Sequence, residues 1–230
     1  MHVLERELRV GLKGLGLTLD DAQIARLLDY LDLIGKWTKV YNLTAVRKPA
    51  AMLTHHVLDS LAVIAPLRLK LTELWSNGPT RNVRARPGEE VHTIRLLDVG
   101  SGAGLPGAVI AICCPDILVD CVDAVAKKVA FIRQVAVALK LTNLHGLHAR
   151  IENLTEKYAI VSSRAFASLS DFALCSTGVL ASGGIWLAMK GKYPQDEVSA
   201  LPEGVQVFHV EHLAVPGLGA ERCVVWMRKG

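Results

Sequence analysis

Nine consecutive residues, Leu96-Leu97-Asp98-Val99-Gly100-Ser101-Gly102-Ala103-Gly104, carry the strongest chemical signal in the chain. An apolar run that ends in a carboxylate and three alternating glycines describes a strand turning sharply into a helix. Glycine has no Cβ, so the backbone there can take positive φ and approach a ligand closely. Pro106 follows near the expected helix start, where a missing N–H costs nothing. Such a turn is a place for a nucleotide-like cofactor, with a tight connection that binds nothing as the plainer alternative. The spacing is G-x-G-x-G, whereas dinucleotide folds show G-x-G-x-x-G with a helix N-terminus facing a pyrophosphate. A carboxylate beside the turn is a poor neighbour for a pyrophosphate. Opposite charges attract, so Asp98 suits the ammonium and sulfonium groups of S-adenosylmethionine.

A second run, Ile117-Leu118-Val119-Asp120-Cys121-Val122-Asp123, reads as the next strand. Asp123 lies about twenty residues past the glycines, the spacing of a carboxylate that accepts hydrogen bonds from ribose hydroxyls. It is equally well placed to cap the following helix, and the two roles can coexist. Asp120 is expected to be a solvated or edge residue.

The elements that must position these groups alternate. Strands are expected at 94–99, 117–123, 144–148, 159–163 and 184–190, and helices at 105–114, 125–141 and 168–180. Two last strands, 205–212 and 222–228, are joined by a segment with Pro216, Gly217 and Gly219 that is too short for a helix, so they should pair antiparallel. This is an α/β pattern: a mainly parallel, doubly wound sheet closed by an antiparallel terminal strand, the outline of Rossmann-like class I methyltransferases. Before it, Leu8, Leu12 and Leu15 suggest a short helix. Thr18-x-x-Asp then introduces the apolar stripe Ile24, Leu27, Leu28, Leu31 and Ile34, and a helix near 50–65 should bury Leu53, Val57, Leu61 and Ile64. The chain thus divides into a helical N-terminal extension (1–75), a basic loop (76–93) bearing Arg81, Arg84 and Arg86, and a catalytic domain (94–230).

A chain of 230 residues, 51% hydrophobic and 21% charged, can bury a sizeable core. Its net charge of +4 and pI near 8.8 suit a polyanionic partner without requiring one. Cys113, Cys114, Cys121, Cys175 and Cys223 show no C-x-x-C spacing, so neither a zinc site nor a disulfide framework is indicated. No stretch looks like the roughly twenty apolar residues of a membrane span, and the charged N-terminal residues do not look like a leader, so a cytoplasmic protein is expected.

Several phrases together resemble one family: Lys36-Trp37-Thr38-Lys39-Val40-Tyr41-Asn42-Leu43-Thr44, His56-Val57-Leu58-Asp59-Ser60, Asp98 through Gly107, Arg164-Ala165-Phe166-Ala167-Ser168-Leu169, and Leu187-Ala188-Met189-Lys190-Gly191. In this order and spacing, from about residue 18 to 228, the chain resembles the RsmG (GidB) family of bacterial 16S ribosomal RNA guanine-N7 methyltransferases. The resemblance implies methyl transfer from S-adenosylmethionine to N7 of a guanosine in the helix 18 loop. The partner would be 16S ribosomal RNA, free or in the small subunit or a precursor, with no membrane and no metal. It also implies cofactor contacts at Gly100, Leu105, Ile151, Glu152 and Arg164. From the residues alone, Ile151 reads as core and Glu152 as solvated, and Arg164 as a surface ion pair at the ligand-binding edge of the sheet.

Guanine N7 has an in-plane lone pair and no proton at neutral pH, so no general base is needed and none is assigned. The chain has no Asn/Asp-Pro-Pro-Tyr phrase and no Pro-Cys nucleophile. Candidate RNA contacts are Lys36, Lys39, His56, Arg133, Arg150, Lys190 and Lys192, each equally readable as a solvated residue. Trp37 and Tyr41, four apart on a helix, are expected to pack in the core rather than stack on bases. Three alternatives stay open: an NAD-dependent oxidoreductase, a methyltransferase acting on another RNA or a small molecule, and a non-catalytic RNA-binding protein.

Overall fold

The protein, seen here in a computed structural model, is described over residues 2–77 and 94–230. From residue 78 on, the basic loop expected at 76–93, with its three arginines, lies outside the described residues.

Among the described residues, five α-helices and one π-helical turn precede the sheet. Helix α1 (Glu5–Gly14) buries Leu8 and Leu12, as their spacing suggests. Helix α2 (Asp21–Tyr41) buries the whole stripe from Ile24 to Ile34, together with Tyr30 and Thr38. Its cap is not Thr18 but Asp20. The Asp20 carboxylate accepts from the Gln23 N–H at 2.7 Å, while the Gln23 side chain accepts from the Asp20 N–H at 3.1 Å. Only a residue adjoining the first turn can make this reciprocal pair, and Thr18 is two residues too early.

Helix α3 (Pro49–Met52) runs through a π-helical turn (Leu53–Leu58) into α4 (Asp59–Leu61), followed by α5 (Ile64–Asn77). Leu53, Val57, Leu61 and Ile64 are all buried. The run Pro49–Glu73 departs from the expectation on apolar length: its 25 residues include a window of mean hydropathy 1.3, long and apolar enough for a membrane span. However, 72% of that window is buried inside the protein, so packing within the fold accounts for its apolarity.

The remaining elements alternate: β1 (Ile94–Val99), α6 (Gly107–Cys113), β2 (Ile117–Asp123), α7 (Ala126–Ala138), β3 (Leu144–His148), β4 (Tyr158–Arg164), α8 (Leu169–Ser176), β5 (Leu180–Lys190), α9 (Gln195–Ser199), β6 (Val205–His212) and β7 (Cys223–Lys229). The sheet has the order β3-β2-β1-β4-β5-β7-β6, parallel from β3 to β5, with β7 antiparallel to both of its neighbours. This is the α/β architecture expected from the pattern. Helix α8 ends earlier than expected and β5 begins earlier. The register between Tyr158 and Ile160 shifts opposite Gly183 and Gly184, so the strand carries a bulge that alternation alone does not reveal.

Side chains alternate across the sheet, as the period of two requires. Leu96, Val119, Ile160 and Trp226 join one core with α1, α2, α5, α6 and α7, whereas Leu97, Val122, Val161 and Val225 join another with α8. The N-terminal helices therefore share a core with α6 and α7, directly behind the glycine turn.

Candidate active site

Parallel strands deliver their C-terminal ends to one edge of the sheet, and the connections there form the ligand-binding edge of open α/β folds. At this edge the structure has a cavity of about 470 Å³. The glycine turn from Gly100 to Ala103 and Leu105 forms one side. Leu43 and Thr44 after α2, with His55, His56 and Asp59 from the helical run that follows, form another, and Arg164, Met189, Lys190 and Arg222 line the rest.

Gly100 has φ +64°, and a Cβ built there meets nothing within 4 Å, so its bare face opens onto the cavity. Gly107 answers a different need. A Cβ there would collide with Cys121 Sγ and reach to 3.0 Å of Asp98 Oδ2.

Asp98 does not face a ligand, contrary to the expectation. It is fully buried beneath the turn, where Oδ2 accepts from the Gly107 N–H at 3.1 Å and Oδ1 from the Ser162 hydroxyl at 2.9 Å. Burial raises its pKa to about 6, against the lowering effect of these donors. Its work is to fix the turn to α6 and β4. An apolar run around an Asp signals burial as readily as ligand contact.

Asp123 ends β2 and is 6% exposed. Oδ2 accepts from the Gly102 N–H at 3.1 Å and lies 3.4 Å from Lys128 Nζ, and Oδ1 accepts from the Val125 N–H at 2.9 Å. It is not the cap of α7: that position is Val125, which has no side-chain cap bond. Asp120, expected to be solvated, is 3% exposed. It binds Arg95 at 2.7 Å, the Tyr158 hydroxyl at 2.9 Å and His145 at 3.0 Å. A buried carboxylate needs such partners, and strand alternation with one polar position could not reveal them.

Ile151 and Glu152 form a 3₁₀ turn after β3, with Ile151 buried in the second core and Glu152 exposed. These two and Asp123 lie on the β2–β3 side of the edge, outside the cavity lining. Arg164 is in the lining, and its Nη1 donates to Asp59 Oδ2 at 2.9 Å and to the His55 carbonyl at 3.0 Å. The ion pair expected for it thus exists, but with a buried carboxylate at the site rather than on the open surface.

The candidate RNA contacts separate into two groups. Lys36, Lys39, Arg133, Arg150 and Lys192 are exposed, with Arg133 donating to the Gly146 carbonyl at 2.9 Å. His56 is not an open-face cation. It is 7% exposed, its Nε2 lies 2.7 Å from Thr44 Oγ1, and burial followed by the nearby Arg164 charge lowers its pKa to about 4. Lys190 lines the cavity with its charge paired to Glu197 at 2.7 Å. Trp37 packs edge-on against Phe131 with ring centroids 5.3 Å apart, whereas Tyr41, expected in the core, is 44% exposed at the last residue of α2.

Tyr30, Asp59 and Arg222 were missed by motif reading. The signal for Asp59 was a carboxylate inside the apolar run Val57–Leu61, a placement that demands a cationic partner. For Arg222 it was its position at the start of an antiparallel strand. Such a strand brings its first residues to the edge where parallel strands bring their last, and Cys223 accordingly pairs with Lys190.

The sequence model of the GidB family, described as rRNA small subunit methyltransferase G, matches residues 23–71 and 85–225. The chain is 66% identical over 229 residues to the ribosomal RNA small subunit methyltransferase G of Albidiferax ferrireducens, spanning 100% of this chain and 99% of that one. It is 61% identical to the protein of the same description from Polaromonas sp. strain JS666, over 97% of this chain and 93% of that one. Among solved structures it is similar to TrmN from Thermus thermophilus, with a TM-score of 0.53 and 20% identity over 77% of this chain and 53% of that one, a likeness of fold.

Proposed function

The chain belongs to the rRNA small subunit methyltransferase G family, and on that premise we propose that it methylates N7 of one guanosine in the helix 18 loop of 16S ribosomal RNA. That it is an S-adenosylmethionine-dependent methyltransferase of small-subunit ribosomal RNA follows from the family. The atom and the loop are the proposal. The observation that carries it is one cavity in which the open glycine turn meets two arginines, Arg164 and Arg222.

The residues fit a bound donor, since Gly100 leaves open space where any side chain would intrude. Gly100, Leu105 and Arg164 would hold its amino-acid portion, and Asp123, Ile151 and Glu152 its ribose and adenine on the β2–β3 side. When bound, the donor supplies a methyl carbon made electrophilic by its sulfonium. Because N7 carries no proton, the protein's task is alignment, which supplies roughly 7–11 kcal/mol in favourable cases. His56, whose pKa burial lowers to about 4, forms part of the wall and is assigned no proton transfer. The guanine must leave its stack to enter, and loops and splayed bases are the accessible parts of RNA.

Lys36 and Arg150 are assigned to the RNA backbone, with His56 and Lys190 at the mouth of the cavity. Residues 1–75 serve as an extension packed on the 94–230 catalytic domain, and the substrate is met in the cytoplasm, as free RNA or in the small subunit or its precursor. The test is methyl incorporation from radiolabelled donor into 16S RNA and into small subunits, followed by mapping of the labelled nucleotide. Label at N7 of one guanosine in the helix 18 loop is expected. Label on an exocyclic amine, outside that loop, or independent of RNA overturns the proposal.

A further inference from the structure

The Asp59 side chain is 3% exposed, and both of its carboxylate oxygens bind arginines from distant parts of the chain. Oδ2 takes Arg164 Nη1 at 2.9 Å and Oδ1 takes Arg222 Nε at 2.7 Å. One carboxylate thus fixes two guanidinium groups, and the triad keeps a net positive charge facing the cavity.

Each arginine has donors left over. Arg164 uses Nη1 twice, on Asp59 and the His55 carbonyl, and Arg222 uses Nε on Asp59 and Nη1 on the Glu221 carbonyl. A guanidinium has five N–H donors. Among the described residues, Arg164 Nε and Nη2 and Arg222 Nη2 have no protein acceptor, and none of them is a buried atom without a partner. They are therefore open donors in a cavity wall. Lys190, the other cation of that wall, is neutralised by Glu197.

Strand order says which substrate these donors meet. The ribose and adenine candidates lie on β2 and just after β3, and the glycine turn follows β1, so the reacting end of the donor points toward β4. Arg222 stands at the start of β7, three strands from β1. At the usual spacing of neighbouring strands that is roughly 14 Å, beyond the donor and on the side left for RNA. Fixed guanidinium forks match the geometry of phosphate oxygens.

We propose that Asp59 is a positioning residue that locks Arg164 and Arg222 into a fork, and that Arg222 takes a backbone phosphate of the RNA beside the target nucleotide. This rests on the functional reading above and adds the group that seats the RNA chain. The N-terminal helices then contribute to substrate recognition through α4 rather than only to the core.

The test compares wild-type protein with Arg222→Gln, Asp59→Asn and Asp59→Glu, using 16S RNA as substrate. Donor affinity is measured by calorimetry, kcat and KM for RNA by initial rates, and folding by thermal unfolding. For Arg222→Gln we expect an RNA KM at least tenfold higher, donor affinity within about twofold of wild type, and a shallower dependence of KM on salt by about one phosphate contact. Asp59→Asn should raise KM in the same direction, with partial rescue in Asp59→Glu. If Asp59→Asn does not fold, the Asp59→Glu profile and Arg222→Gln decide. An unchanged RNA KM in a folded Arg222→Gln, or a loss confined to donor affinity, overturns the phosphate assignment. A raised KM in Arg222→Gln with normal KM in folded Asp59 variants overturns the positioning role. Failure of the wild-type protein to methylate RNA would instead count against the functional reading.

Discussion

The Tyr30 hydroxyl, on α2 in the N-terminal helices, donates to the Ala103 carbonyl of the glycine turn at 2.6 Å, with the Gly104 carbonyl at 3.2 Å. Tyr30 is fully buried, so no water substitutes for this bond from outside. The helix therefore reaches across the core and fixes the backbone that faces the cavity. Tyr30→Phe would leave a buried carbonyl unpaired, at a cost of about 1–3 kcal/mol. Denaturant unfolding should show that loss, and calorimetry should show weaker binding of S-adenosylmethionine. Unchanged affinity would mean that the turn keeps its shape without the helix.

Gly100→Val tests the turn itself. A β-branched residue at φ +64° is strained, by about 1–2 kcal/mol, and its side chain would enter the cavity. Circular dichroism should show a folded protein, and calorimetry no measurable donor binding. Normal binding would place the donor elsewhere.

The alternating strands and helices, the antiparallel last pair and the apolar stripe of α2 were legible because burial imposes periods of 2 and 3.6 on the sequence. The glycine turn was legible because few residues tolerate its φ. What stayed hidden was the direction in which polar side chains point. Asp98 and Asp123 both lie near the ends of strand patterns, yet one is sealed beneath the turn and the other holds it through the Gly102 N–H. The Asp59–Arg222 pair joins residues 163 apart in the chain, a contact no local pattern encodes.

Asp123 holds the Gly102 N–H, and we propose that it also accepts from the ribose hydroxyls of the donor. Asp123→Asn should weaken S-adenosylmethionine binding about tenfold, with a stability change of about 1 kcal/mol from the altered turn. A donor analogue lacking ribose hydroxyls separates the two tasks. Its affinity should fall in the wild type and fall much less in the variant, and equal losses in both would leave Asp123 with the turn alone.

His56 should make the protein acid-sensitive. Its pKa is lowered from 6.5 to about 4 in the fold, so below about 6.5 the unfolded chain takes up a proton that the folded one refuses. Its contribution is thus fully present above 6.5 and lost as pH falls toward 4, by up to about 3 kcal/mol. Asp98 runs the other way, with a raised pKa of about 6, so its contribution is present below the ordinary carboxylate range and lost as pH rises through 6. The measurement is therefore the difference in unfolding free energy between wild type and His56→Gln from pH 7 to pH 4. The wild type should lose ground steadily across that window, and a flat difference would show that His56 protonates freely in the fold.

We propose that the glycine turn cradles the methyl donor with its adenosine toward β2 and its reacting end toward Arg164. A crystal structure with S-adenosylhomocysteine tests it most directly. The expected density places the amino-acid portion over Gly100 and Leu105, the ribose at Asp123 and the adenine beside Ile151 and Glu152, leaving Arg222 free for RNA. An empty turn, or adenosine lying across Arg164 and Arg222, would contradict the account.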